Sequence, residues 1–158
     1  MGSQKKELFD STASKEWKTL RAKYSAAFVL SNIGIEQVIA SPVEKVLELQ
    51  KNLQSNAIIV HLNSIQELFQ NGFSEKFSMK DGFKSIEKLV QKSKVPVIVK
   101  EVGFGFDLDT LKKLSQIGVQ VVDLAGNGGT HWGYIEALRG QTKKGPNKLK
   151  MISAFDDW

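Results

Sequence analysis

The chain contains no cysteine, which excludes a disulfide framework and any thiolate nucleophile and predicts a protein of the reducing cytoplasm. Histidine is nearly as scarce. His61 and His131 are the two present, and without thiolates they cannot form a structural zinc site. No apolar run approaches the ~20 residues of a membrane span, and the N-terminus carries no secretion signal, so no membrane partner is expected. Arginines do not cluster. The net charge of +5 is carried by lysines spread along the chain, which predicts solvated helix faces and leaves room for an anionic small ligand. Aromatic residues interleaved with arginine are also missing, so no nucleic acid is expected as a partner.

What is present is ordinary for a globular protein. With 158 residues, 41% of them hydrophobic and 25% charged, the chain fits one domain with a sizeable core. No linker or shift of composition divides 1–158, and the lysine-rich stretch from Thr142 to Lys150 reads as a loop.

Four segments share a grammar: AAFVLSNIG (Ala26 to Gly34), NAIIVHLN (Asn56 to Asn63), VPVIVKEVGFG (Val95 to Gly105) and VQVVDLAGNGG (Val119 to Gly129). Each is a short, mostly β-branched apolar run that ends in polar and small residues. Such runs fit parallel strands covered on both faces. Helical patterns lie between them. Ser41-Pro42 predicts a cap with proline at the first helical position, followed by Val43, Val46, Leu47 and Leu53 on one face. Asp81 is expected to cap a helix that turns Phe83, Ile86, Leu89 and Val90 inward. Asp107 opens another with Leu108, Leu111 and Leu114 inward and Gly118 as its stop. Stripes at Trp17, Leu20, Tyr24 and at Trp132, Ile135, Leu138 bracket the series. Strand and helix thus alternate four times, the pattern of right-handed β-α units around a parallel sheet.

In such folds the chemistry gathers at the carboxyl ends of the strands. The tips read Ser31-Asn32, His61 to Asn63, Lys100-Glu101 and Asp123. One polar tip means little; four in register point to a site. In AGNGGTHW, Gly126, Gly128 and Gly129 precede Thr130 between an expected strand and an expected helix, which offers backbone amides to an anion. The bland rival is an ordinary Asn-Gly turn.

These residues carry a resemblance. HLNSIQE (His61 to Glu67), VPVIVKEVGFG and DLAGNGGTHW (Asp123 to Trp132) resemble motifs of type 2 isopentenyl diphosphate isomerase, the flavin-dependent enzyme that interconverts isopentenyl and dimethylallyl diphosphate. GSQKKELFD (Gly2 to Asp10), SNIG (Ser31 to Gly34) and FDDW (Phe155 to Trp158) resemble further family segments in the same order. The resemblance implies reduced FMN as cofactor, NADPH as its reductant, Mg²⁺, and a homo-oligomer. It places Ser3, Asn32, Lys100, Gly126 and Thr130 at the flavin, with Lys100 against the ring and Thr130 at the phosphate. Gln4, Lys5 and Gln66 fall to the substrate, His61, Asn63 and Gln66 to catalysis, and Glu67 to the metal. Two departures stand out. Ala125 replaces a family serine, and the loop QNGFSEKFSMKDGF (Gln70 to Phe83) lacks the family's Pro-Glu-Gly run.

The resemblance also implies a TIM barrel, of which this chain would supply strands three to six. A closed barrel takes ~250 residues, so a partial barrel with open strand edges is expected. Two other readings compete: a catalytically silent segment that persists by self-association, and an FMN-dependent 2-hydroxy acid oxidase, whose His-Gly-Gly signature the NGGTH turn does not reproduce. Each site residue also has a plain alternative. A histidine that ends a strand is more often a satisfied turn residue, Glu67 suits any helix start, and Lys100 and Glu101 can simply pair with neighbouring charges. Asp123 reads as structural support, and Trp132 and Trp158 as packing.

Overall fold

A computed structural model describes residues 2–10, 12–62, 78–126, 132 and 135. Four strands form one parallel sheet in the order in which the chain makes them: β1 (Leu30–Gly34), β2 (Ala57–His61), β3 (Val97–Lys100) and β4 (Val121–Asp123). The helices are α1 (Ala13–Lys23), α2 (Ile35–Ala40), α3 (Val43–Leu53), α4 (Met79–Lys92) and α5 (Leu108–Gln116), and a 3-10 turn at Lys5–Leu8 precedes them.

The register explains how the sheet has two unlike faces. Ile33, Val60, Val99 and Val122 are aligned across the four strands, with Ile58 and Val97 one pleat below. These side chains meet Val38 from α2, Val46 and Leu49 from α3, Ile86 and Leu89 from α4, and Leu114 from α5 in one cluster. The opposite parity aligns Asn32, Ile59, Ile98 and Val121, then Gly34, His61, Lys100 and Asp123. None of Asn32, Ile59, Ile98, His61 or Lys100 is fully buried, and Val121 and Asp123 are exposed. Among the described residues the helices therefore cover one face, where the β-branched runs had predicted cover on both.

Local signals account for both ends of α5. The Asp107 carboxylate accepts from Thr110 N at 2.7 Å and caps α5. Gly118, at φ +90°, turns the chain out of that helix as expected. Helix α3 begins at Val43 with Pro42 as its cap rather than its first helical residue, and α4 begins at Met79, before Asp81. The inward stripes are only partly realised: Leu108 is 65% exposed, and Leu20 and Tyr24 of the first stripe are also exposed. Helix α2 had no sequence signal, since six residues are too few to show a period.

The expected section of a TIM barrel is corrected. The described residues form a small, open, all-parallel α/β domain of four strands, with helices on one face and a core of its own. The barrel was implied by the resemblance alone, since alternation of apolar runs and helical stripes is common to barrels and to open sheets. The outer edge of β1 is met by the N-terminal segment, where Gln4 N donates to Asn32 O at 2.8 Å. No strand among the described residues pairs with the outer edge of β4.

Candidate functional site

Three chemistry-bearing side chains share one row at the carboxyl end of the sheet. His61 is aligned with Lys100, and Lys100 with Asp123, so all three project from the face the helices leave open. Lys100 Nζ lies 3.7 Å from Asp123 Oδ2 and donates to Glu101 O at 2.9 Å. On the same face, two residues below the level of His61, Asn32 Oδ1 lies 2.8 Å from His61 Nδ1. Period-two geometry requires this grouping, because residues of equal parity on parallel strands in register emerge on one side. Ser31, read as part of a tip, has the other parity: it is buried, with its hydroxyl 2.6 Å from that of Ser55.

The turn after β3 is built by Glu101. Its Oε2 accepts from Val102 N at 2.8 Å and from Phe104 N at 3.0 Å. Burial pushes this carboxyl above its ordinary pKa, against the backbone donors and the Lys100 charge, which pull it down. Gly103 and Gly105 both take positive φ, 142° and 73°. A Cβ on Gly105 would stand 3.6 Å from the Cα of Gly126, so two glycine loops meet backbone to backbone beside the row. Ala125, one of the two departures from the family pattern, has φ 38°, and its N–H donates to Asp123 Oδ1 at 3.2 Å.

The N-terminal segment reaches the site from the edge of β1. Gln4 is buried, and its side chain spans Asn32, Glu7 and Leu49. Ser3 and Lys5 are exposed, with Lys5 N donating to Ser3 Oγ at 3.3 Å. The structure thus brings Gln4, Asn32, His61 and Lys100 together, with Gly126 at the adjoining loop. Asn63, Gln66, Glu67 and Thr130 lie outside the described residues, so the predicted metal ligand and phosphate anchor have no geometry to report. Among the described residues no three acidic or histidine side chains group as a metal site, and no helix is long and apolar enough to cross a membrane. Sequence reasoning missed Glu101 as the holder of the turn and Gln4 as a clamp. Glu101 acts through backbone N–H groups, and Gln4 through the backbone of Asn32 and Leu49 and the Glu7 carboxylate, and no residue type announces such partners.

Fold and site together define an α/β domain that offers a histidine, an amide and a lysine on one open sheet face beside two glycine turns. Comparison with known proteins narrows this class. The chain is 47% identical over 141 residues to a protein of Bdellovibrio bacteriovorus named isopentenyl-diphosphate delta-isomerase, a match covering 89% of this chain and 40% of that one. Proteins of the same name are 40% identical over 158 residues in Legionella pneumophila strain Corby and 42% identical over 131 in Borreliella afzelii. These matches cover 100% and 82% of this chain, and 45% and 34% of the respective relatives. The chain therefore spans less than half the length of the relatives it matches. No family model matches it.

Proposed function

We propose that the chain is the cofactor- and substrate-bearing part of an isopentenyl-diphosphate delta-isomerase of the FMN-dependent type, which interconverts isopentenyl and dimethylallyl diphosphate. The observation that carries this reading is the aligned row of His61, Lys100 and Asp123 with Asn32 bound to His61, in a chain whose relatives bear that name.

The residues present fit a flavin. Lys100 is an ammonium whose side chain is 31% exposed and is steadied by Asp123, which suits the ring edge where a reduced flavin gathers negative charge. Asn32 and His61 add hydrogen-bonding groups on the same face, and the loops of Gly105 and Gly126 lie against each other beside them. Bound in its reduced form, with NADPH as reductant, FMN would supply acid-base chemistry for a proton transfer without net redox change. The protein's own part is to hold the alkene and the diphosphate in place. On this reading the roles that the resemblance implies are kept: His61 and Asn63 for the diphosphate and reacting end, Gln66 for the substrate, and Glu67 as the hard oxygen ligand that Mg²⁺ prefers. Thr130 anchors the flavin phosphate, and Ser3 and Lys5 come from the segment that Gln4 ties to β1.

Titration of FMN into the purified chain, followed by quenching of flavin fluorescence, tests the reading. Saturable binding in the micromolar range is expected, weakened about tenfold or more, ~1.4 kcal/mol, in Lys100→Ala. No saturable binding by a chain of verified mass, or binding indifferent to Lys100→Ala, overturns it.

A further inference from the structure

An amide oxygen only accepts hydrogen bonds, so the 2.8 Å contact between Asn32 Oδ1 and His61 Nδ1 needs a proton on Nδ1. Which imidazole nitrogen carries the proton is set by the hydrogen bonds the ring makes, and here the partner of Nδ1 is a side chain on the neighbouring strand. The question becomes what holds Asn32. It lies on the outermost described strand, and both of its backbone groups are taken by one residue: Gln4 N donates to Asn32 O at 2.8 Å, and Asn32 N donates to Gln4 Oε1 at 3.3 Å.

The Gln4 amide can face only one way. Its Nε2 meets two oxygens, Glu7 Oε2 at 3.2 Å and Leu49 O at 3.4 Å, so Oε1 is left to Asn32. Glu7 is fixed in turn by Asn52 Nδ2, 2.6 Å from its Oε1. Gln4 is 1% exposed, so losing these partners would leave a buried amide unsatisfied.

We propose that Gln4 and Asn32 are positioning residues that set the tautomer of His61. Gln4 locks the backbone of Asn32 from the strand edge, and Asn32 Oδ1 keeps the proton on Nδ1. In the neutral ring Nε2 is then the acceptor, and on protonation it becomes the donor toward a phosphate. The use of His61 rests on the functional reading above, but the tautomer is defined by the protein alone.

NMR of the chain labelled with nitrogen-15 histidine reads the tautomer directly. The chain has two histidines, and the signals lost in His61→Gln assign the ring. In the native chain His61 is expected as the Nδ1–H form. Asn32→Leu and Gln4→Met are expected to convert it to a mixture of tautomers, with circular dichroism unchanged. Asn32→Asp, which keeps an acceptor at this position, is expected to hold the Nδ1–H form. Should Gln4→Met fail to fold, Gln4→Glu, which keeps the acceptor and loses both donors, is expected to give a partial shift. An Nε2–H form in the native chain, or a tautomer indifferent to Asn32→Leu, overturns the proposal. A tautomer that moves with Asn32 and in no Gln4 variant overturns the part assigned to Gln4. None of these measurements needs flavin, so a chain that fails to bind FMN while keeping the locked ring refutes the functional reading and leaves this one standing.

Discussion

Glu101 is the residue at which local electrostatics reach the whole chain. Its carboxyl is raised above 4.5, first by burial, with the backbone donors of Phe104, Val102 and Gly103 and the Lys100 charge acting against that. A carboxyl with a raised folded pKa contributes stability that is fully present below the unfolded value and is lost as pH rises through the folded value. Between about pH 4.5 and the raised value, the native chain is therefore expected to lose stability relative to Glu101→Gln, which keeps one oxygen for the turn and has no charge to desolvate. Urea midpoints of the two proteins measured from pH 4 to 8 check this. A difference that is flat across the series would show that the backbone donors offset the burial. Residue identity announced Lys100 and Glu101 as a polar strand tip. It could not announce that one faces the open sheet face while the other turns back onto its own loop, because Glu101 is satisfied by N–H groups that every residue has.

At the scale of elements, signals were legible where a specific backbone state was needed. Asp107 caps α5, and Gly118 ends it, each as its residue type requires. Gly118→Ala is expected to cost about 1–2 kcal/mol, because φ is +90° and the new Cβ would meet Val90 Cγ1 at 3.1 Å. The melting temperature of that variant is the measurement, and an unchanged value would mean that the α5–β4 turn relaxes into another conformation. The less legible ends are those fixed by packing. Helix α4 extends back to Met79 and buries Gly82 beside Ile35 of α2. Helix α1 packs against α3 and buries Ala13, while the Leu20–Tyr24 end of its apolar stripe stays exposed. A stripe shows that a face is apolar, and only the neighbouring element decides how much of it is covered.

At the scale of the molecule, the sheet with one covered face explains both the core and the site. Residues of one parity are committed to the helices, which leaves the other parity to present Asn32, His61 and Lys100 without sacrificing core volume. The sequence concealed this division because β-branched residues fill both parities: Ile58 and Ile59 are adjacent, chemically identical and point to opposite sides. Substitution at the pair exposes it. Ile58 is 1% exposed within the core, so Ile58→Ala is expected to cost about 3 kcal/mol through lost burial and the cavity left behind. Ile59 is half-buried on the open face, where truncation leaves a shallow dent open to water, and Ile59→Ala is expected to cost roughly 1 kcal/mol. Equal costs in urea unfolding would mean that in solution something covers the open face as tightly as the helices cover the other. Flavin titration then separates the two roles: if the proposed function holds, Ile59→Ala, on the open face, is expected to change FMN affinity, while Ile58→Ala, on the helix side, is expected to change stability alone.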